Sequence, residues 1–269
     1  MREITPLTVQ VHFSGMASSR LLYASRDKIR RVLSSVLGSA VWYGLIIRNP
    51  VVGVRLPRDN RTCRRKPYLT PEQFHQLVQL IPEPYATMVS TAIYTGLRVN
   101  ELIALRWRCI GEDTITIDER YCRGDLGLPK TTASAATNPV NKAVIERLQR
   151  LKQMTVMVKA GTNTRAYQLV KNDGPDDLVF QSVRTGRPMR DNNILARHIK
   201  PAAKKLGLGF VNWRCLRTSH ATWLKLAGAD IKDTQAQLRH ARASTTLDIY
   251  QQNIPESHRQ AIDKLTTLQ

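Results

Sequence analysis

Helical periodicity runs through most of this chain, and between about residues 114 and 140 a pattern typical of β-strands replaces it. On either side, apolar residues recur every three or four positions, the spacing of a helix with one buried face. In this region, polar and apolar residues alternate over Thr114-Ile115-Thr116-Ile117, and residues 137–140 form a second strand candidate. Gly124 and Gly127, between these two segments, are typical of turns. The pattern predicts a mainly α-helical α+β fold with one small antiparallel β-sheet.

Capping residues and helix-stopping glycines define the predicted helix boundaries. Thr70-Pro71-Glu72 is typical of a helix start, while Gly207 and Gly228 are typical stops. Residues 1–20 show no clear pattern. The predicted helices are, by approximate residue number, 25–45, 70–81, 84–95, 98–106, 141–154, 191–206, 215–227, 230–239, 244–252 and 256–267.

A basic, aperiodic stretch separates the N-terminal quarter from the rest of the chain. Asn49-Pro50 ends the helical pattern of residues 25–45. Residues 55–67 then show no periodicity and carry six Lys or Arg residues. This stretch is typical of a linker, so we predict one domain over residues 1–60 and a second over residues 61–269.

The charge of the chain predicts a polyanionic partner. The net charge is +20, and residues 1–66 hold thirteen Lys or Arg against three Asp or Glu, half of the positive excess. Nucleic acid is the usual partner of such a surface, and an anionic membrane is the alternative. The sequence has no apolar run of transmembrane length and no strongly amphipathic basic helix, which favours nucleic acid over a membrane.

The cysteines predict neither a metal site nor a disulfide framework. Cys63, Cys109, Cys122 and Cys215 are scattered and form no C-x-x-C pair. Reduced thiols are typical of the cytosol, and the N-terminus shows no signal-peptide pattern. We therefore expect a cytoplasmic protein without a metal or a cofactor.

Four polar residues in a fixed order point to a specific chemistry. Arg98 follows Thr95-Gly96-Leu97, Arg217 precedes Thr218-Ser219-His220, and His240 lies ten residues before Tyr250. Two isolated arginines, a histidine and a near-terminal tyrosine in this order resemble the tyrosine recombinase family, the lambda-type phage integrases. The resemblance covers about residues 25–252. It implies a catalytic DNA breaking-rejoining domain after a shortened helical DNA-clamp domain.

The resemblance implies a role for each residue. Tyr250 would be the nucleophile that forms a 3′-phosphotyrosine, since a phenolate both attacks phosphorus and leaves again. Arg98 and Arg217 would clamp the nonbridging oxygens of the scissile phosphate. His240 would bond the same phosphate or position the tyrosine. Lys130, between strand candidates, would protonate the departing 5′ oxygen.

Arg214 departs from the family pattern, which usually has a histidine three residues before the second clamp arginine. At this spacing Arg214 and Arg217 share a helix face, so Arg214 is a candidate for a phosphate contact, but an arginine cannot act as a base. Taken singly, the other candidates also fit structural roles: a surface pair of Arg98 with Glu101, a helix-terminal histidine, a core tyrosine or a loop lysine. Only their combination favours the functional interpretation, and for His220 we favour a structural role.

These features predict a site-specific recombinase or integrase of a mobile element. It would act on double-stranded DNA as a tetramer on paired sites, with accessory DNA-bending or directionality proteins, in the cytoplasm and associated with the nucleoid. Two alternatives stay open. A type IB topoisomerase shares the chemistry but relaxes supercoils as a monomer. A truncated, non-catalytic DNA-binding remnant is favoured by the short N-terminal domain and by Arg214.

Overall fold

The structure is a computed structural model that describes residues 4–58, 66–128, 135–160 and 163–250, with the backbone alone at residues 160 and 248–250. The chain divides into two compact units, Met1–Arg64 and Arg65–Gln269. Each unit has its own buried apolar core.

The first unit is built from two helices. Helix α1 (Pro6–Gly15) begins after Thr5, whose hydroxyl accepts the Thr8 N–H at 3.1 Å. A 3₁₀ turn (Met16–Ser18) then leads to α2 (Tyr23–Trp42), the predicted helix. The core of this unit consists of Val9, Phe13, Leu37, Val51 and Val54.

Helix α1 was not predicted, and its burial pattern explains why. Val9 and Phe13 are buried, whereas Leu7 and Val11 are exposed. The apolar residues therefore surround the helix and do not form one stripe, so the sequence shows no helical period here.

Asn49, which lies after the end of α2, forms a hydrogen bond with that helix. The Asn49 Nδ2 donates to the Ser34 carbonyl at 2.8 Å, and its Oδ1 accepts the Val51 N–H at 3.0 Å. The predicted helix stop is thus also a packing contact within the unit.

The second unit opens with three helices near their predicted positions: α3 (Pro71–Gln79), α4 (Tyr85–Thr95) and α5 (Val99–Ala104). At the start of α3, the Thr70 hydroxyl accepts the Gln73 N–H and the Gln73 side chain accepts the Thr70 N–H. This reciprocal pair satisfies two backbone donors that a helix start leaves unpaired.

The strands of the described residues form antiparallel pairs and not one joined sheet. The pairs are β1 (Thr114–Ile117) with β4 (Ala136–Pro139), β2 (Arg120–Cys122) with β3 (Asp125–Gly127), and β5 (Thr155–Ala160) with β6 (Asn163–Gln168). The β5–β6 hairpin was not predicted. Most of its side chains are exposed, so no buried face alternates with a polar one. The predicted fold class, mainly helical with small antiparallel β-structure, is confirmed.

The second unit contains further helices. They are α6 (Lys142–Arg150), α7 (Asp191–Ile194), which continues through a π-helical turn (Leu195–Ile199) into α8 (Lys200–Lys205), then α9 (Trp213–Leu226), α10 (Ile231–Leu238) and α11 (Ala243–Tyr250). Helix α9 packs against α4, α10 and α11, and its residues 215–222 are all buried. The predicted helix over residues 256–267 lies outside the described residues.

Two further properties concern membranes and metals. Across the described ranges, no helix combines the length and apolarity needed to cross a bilayer. Within those same ranges, no three His, Cys, Asp or Glu side chains come together as potential metal ligands.

Candidate active site

Arg217, in the buried part of α9, joins two turns of the chain. Its Nη1 donates to the Gly96 carbonyl at the end of α4, and its Nη2 donates to the Leu238 carbonyl at the end of α10. Carbonyls at helix C-termini lack intrahelical partners and carry partial negative charge. Arg217 satisfies both, so its guanidinium is fixed in one orientation.

Gly96 is required by backbone conformation and by close packing. Its φ is +66°, and a Cβ at this position would lie 2.5 Å from the His220 Cδ2. The His220 Nδ1 donates to the Ile93 carbonyl at 2.8 Å, so this buried ring supports the turn that presents Arg98. His220 therefore has the packing of a structural residue.

His220 also predicts how stability depends on pH. Burial lowers its pKa to about 4 from an ordinary 6.5. Its contribution is fully present above about pH 6.5 and is lost as the pH falls towards 4, because only the unfolded chain is then protonated. We expect His220 alone to lower the free energy of unfolding by about 2 kcal/mol between pH 7 and pH 5.

Urea unfolding at both pH values measures this effect. In His220→Gln the difference between pH 7 and pH 5 should shrink by about the same amount. An identical pH dependence in the variant and the wild type would contradict the assignment.

Arg98 caps α5 beside Arg217 and is held by Glu101. The buried Glu101 carboxylate accepts the Arg98 backbone N–H at 2.9 Å and its Nη1 at 2.8 Å. The Arg98 side chain remains 41% exposed. The Arg98 guanidinium is thus anchored at Nη1 and partly exposed to solvent.

A further arginine reaches the same carboxylate. The buried Arg239, directly after α10, forms an ion pair with Glu101. Glu101 therefore bridges Arg98 on one turn and Arg239 on another. The positive charges of Arg98, Arg217 and Arg239 all lower the pKa of the nearby His240.

His240 connects the arginines to α11. Its Nε2 lies 3.1 Å from the Arg217 Nη2, and its Nδ1 lies 3.0 Å from the Thr246 Oγ1. Because a guanidinium only donates, Nε2 must accept and the ring proton lies on Nδ1. Burial and the neighbouring arginines lower the pKa of His240 to about 4, so the ring is neutral at pH 7.

Arg214 lies one helical turn before Arg217 and is exposed. Within the described part of the chain, its guanidinium has no hydrogen-bond or ion-pair partner. Its carbonyl accepts the Thr218 hydroxyl at 3.0 Å, which is a contact within α9. The side chain is therefore available to an external anion.

The structure brings some of the predicted residues together and leaves others undescribed. Arg98, Arg217 and His240 meet through direct bonds or through Glu101 and Arg239. Lys130 lies outside the described residues, between β3 and β4. Tyr250 is the last residue of α11, and its side chain also lies outside the described part.

Arg239 and Thr246 belong to the cluster but were not predicted. Arg239 has a φ of +52°, a conformation that favours Gly or Asn, and one more arginine in a basic chain gives no signal. Thr246 follows Ser244 and Thr245, a run that indicates only a helix start. Neither residue could be found from sequence spacing alone.

The fold and the site define a class: a mainly helical domain that holds arginines and a neutral histidine beside a helix ending at a tyrosine. The model of the phage integrase family matches residues 67–256. This chain belongs to the phage integrase family. The predicted resemblance is confirmed, and with it the prediction of a tyrosine-type recombinase.

Named integrases are similar along nearly the whole chain. The ICEBs1 integrase of Bacillus subtilis (strain 168) is 28% identical over 277 residues, covering 99% of this chain and 70% of that protein. The integrase of Mycobacterium phage L5 is 27% identical over 241 residues, covering 88% of this chain and 61% of that protein. The chain thus spans about two thirds of the length of these relatives.

Solved structures share the fold. The Tn1549 transposon integrase in complex with transposon right end DNA superposes with a TM-score of 0.73 at 20% identity, covering 99% of this chain and 87% of that one. A lambda integrase tetramer bound to a Holliday junction gives a TM-score of 0.65 at 19% identity, covering 94% of this chain and 67% of that one.

Proposed function

We propose that this chain cleaves and rejoins DNA at specific sites through a covalent 3′-phosphotyrosine at Tyr250, in the recombination or integration of a mobile element. The observation that carries the proposal is the cluster of Arg217 on α9 with Arg98 and His240 on neighbouring turns, beside α11, which ends at Tyr250. Fixed cations at the reacting phosphate are the main requirement of this chemistry.

In the proposed step, the Tyr250 oxygen attacks the scissile phosphorus while the bond from phosphorus to the 5′ oxygen breaks. Lys130 gives a proton to the departing 5′ oxygen. Arg98 and Arg217 stabilise the charge on the nonbridging oxygens. Attack by a 5′ hydroxyl of the partner strand reverses these steps and releases the tyrosine.

Arg214 contributes a phosphate contact in this proposal and no proton transfer, because a guanidinium cannot accept a proton. His240 is a weak base whose two ring nitrogens are engaged by Arg217 and Thr246. In this proposal the proton of the tyrosine hydroxyl is released to solvent and is not taken by His240.

Double-stranded DNA is the proposed partner, with a tetramer on paired sites and accessory DNA-bending or directionality proteins. The tetramer of lambda integrase on a Holliday junction supports this assembly. We assign residues 1–60 as a helical DNA clamp, because thirteen Lys or Arg against three Asp or Glu in residues 1–66 favour phosphate contacts. The proposed location is the cytoplasm, at the nucleoid.

A suicide substrate tests the proposal. A nicked duplex that loses its 5′ hydroxyl after cleavage should trap the protein as an SDS-resistant DNA adduct. If the wild-type chain binds DNA but forms no adduct, it is a non-catalytic remnant. If it forms the adduct and relaxes supercoils but exchanges no strands between two duplexes, it acts as a topoisomerase.

The role of Lys130 as general acid predicts selective rescue by a modified substrate. Lys130→Ala should slow cleavage about 100-fold or more, because the 5′ oxygen then leaves without a proton. A 5′-bridging sulfur needs no proton, so it should restore cleavage by Lys130→Ala in single-turnover assays. It should not restore Arg98→Ala, which lacks a phosphate contact.

Strand β4, which follows Lys130 in the sequence, contacts the turn of His240. The Asn138 Nδ2 of β4 donates to the Gln237 carbonyl at 2.6 Å, beside the turn that holds Leu238 and His240. Exposed Lys142 at the start of α6 gives a control, and Lys142→Ala should cleave the ordinary substrate normally. Equal rescue of Lys130→Ala and Arg98→Ala, or rescue of neither, would count against Lys130 as the acid.

A further inference from the structure

Arg239 is a buried cation in an unusual setting. Its side chain is 1% exposed and is paired with Glu101, whose side chain is 4% exposed. Its Nε is buried and has no hydrogen-bond partner among the described residues. Its backbone has a φ of +52°, the left-handed region that favours glycine.

This setting is a poor way to stabilise a fold. Removing two charges from water offsets much of their attraction, so a buried ion pair contributes little net stability. The unpaired Nε and the left-handed backbone both add cost. A glycine would remove the strain and the unpaired Nε, so the feature that accounts for an arginine here is its one charged contact, the pairing with Glu101.

The contacts of Arg239 and its neighbours point to a different role. Three consecutive residues at the end of α10, Leu238 to His240, contact Arg217 or Glu101. The Leu238 carbonyl accepts from Arg217, His240 contacts Arg217, and Arg239 pairs with Glu101. Glu101 in turn holds both the backbone and the side chain of Arg98.

We propose that Arg239 is a positioning residue that acts through Glu101 to fix Arg98 against the scissile phosphate. It links the turn that leads into α11, the helix of the nucleophile, to the turn that carries the first clamp arginine. Without it, the Glu101 carboxylate loses its buried anchor and Arg98 loses its fixed orientation. The inference rests on the proposed cleavage function and adds to it a residue outside the predicted set.

The experiment is a double-mutant cycle on cleavage of the suicide substrate. Arg239→Met removes the charge and keeps the length, and we expect single-turnover cleavage to slow about 30-fold while DNA affinity changes less than about twofold, because misplacement of a clamp costs rate and not binding. Arg98→Lys is the second single substitution of the cycle, because it keeps a cation and is expected to cleave slowly but measurably. In the Arg98→Lys background, Arg239→Met should slow cleavage less than about threefold, because the orientation that it disturbs is already lost.

Controls separate this role from a general loss of packing. Arg106→Met removes an arginine from a different ion pair, the partly buried one of Arg106 with Glu119 at 2.6 Å, and should leave cleavage unchanged. Arg239→Lys restores a cation and should recover part of the rate. If Arg239→Met fails to fold, Arg239→Lys replaces it in the same cycle, with a smaller effect that should likewise vanish in the Arg98→Lys background.

The outcomes are distinct. Unchanged cleavage in both Arg239 variants, or a loss that multiplies fully with that of Arg98→Lys, would overturn the positioning role and leave the proposed function intact. Absence of any adduct from the wild-type chain would overturn the proposed function and this inference with it.

Discussion

Tyr250→Phe is expected to abolish the covalent protein–DNA adduct and to leave DNA affinity within about twofold of the wild type. The substitution removes one oxygen, the atom that forms the bond to phosphorus, and keeps the ring. The measurement is the SDS-resistant adduct on the suicide substrate, alongside a binding assay on the same DNA.

A matched control uses the nearest upstream tyrosine. Tyr167 lies on β6, and no tyrosine follows Tyr250 in the sequence. Tyr167→Phe should therefore form the adduct normally. An adduct that persists in Tyr250→Phe and disappears in Tyr167→Phe would show that the nucleophile has been assigned to the wrong residue.

The helices of this chain could be predicted where one face is buried. Phe74 and Leu77 repeat along α3, and Thr70-Pro71 marks its start, so period and cap agree. Helix α1 lacks such a face and was missed. The β5–β6 hairpin was missed for the related reason that most of its side chains are exposed, which removes the alternation that a half-buried strand shows.

The candidate site could be predicted as a set of residues but not as a network. Arg98, Arg217 and His240 were found because their order resembles a family. The bonds that hold them depend on carbonyls at helix ends, such as those of Gly96 and Leu238, and every residue has a carbonyl. Sequence alone therefore gives no reason to pair Arg217 with these two acceptors.

Arg98→Ala and Arg217→Ala should both slow cleavage at least about 100-fold, because each removes a transition-state contact worth about 3 kcal/mol. Their effects on stability should differ. Arg98 is 41% exposed at its side chain, and without that side chain Glu101 keeps the backbone N–H of residue 98 and the pairing with Arg239. The free energy of unfolding should therefore fall by less than about 1 kcal/mol.

Arg217→Ala should instead lose stability as well as cleavage. It leaves the buried Gly96 and Leu238 carbonyls without their donor, and each unsatisfied group costs about 1–3 kcal/mol. Urea unfolding of both variants, with cleavage rates corrected for the folded fraction, separates the two losses. If Arg217→Ala unfolds at the same urea concentration as Arg98→Ala, the two carbonyl contacts do not hold the turns together. If it cleaves at a near-normal rate, Arg217 is not a phosphate clamp. The expected result, a large loss of rate in both variants and of stability only in Arg217→Ala, follows from the position of one arginine at the surface of the site and the other inside it.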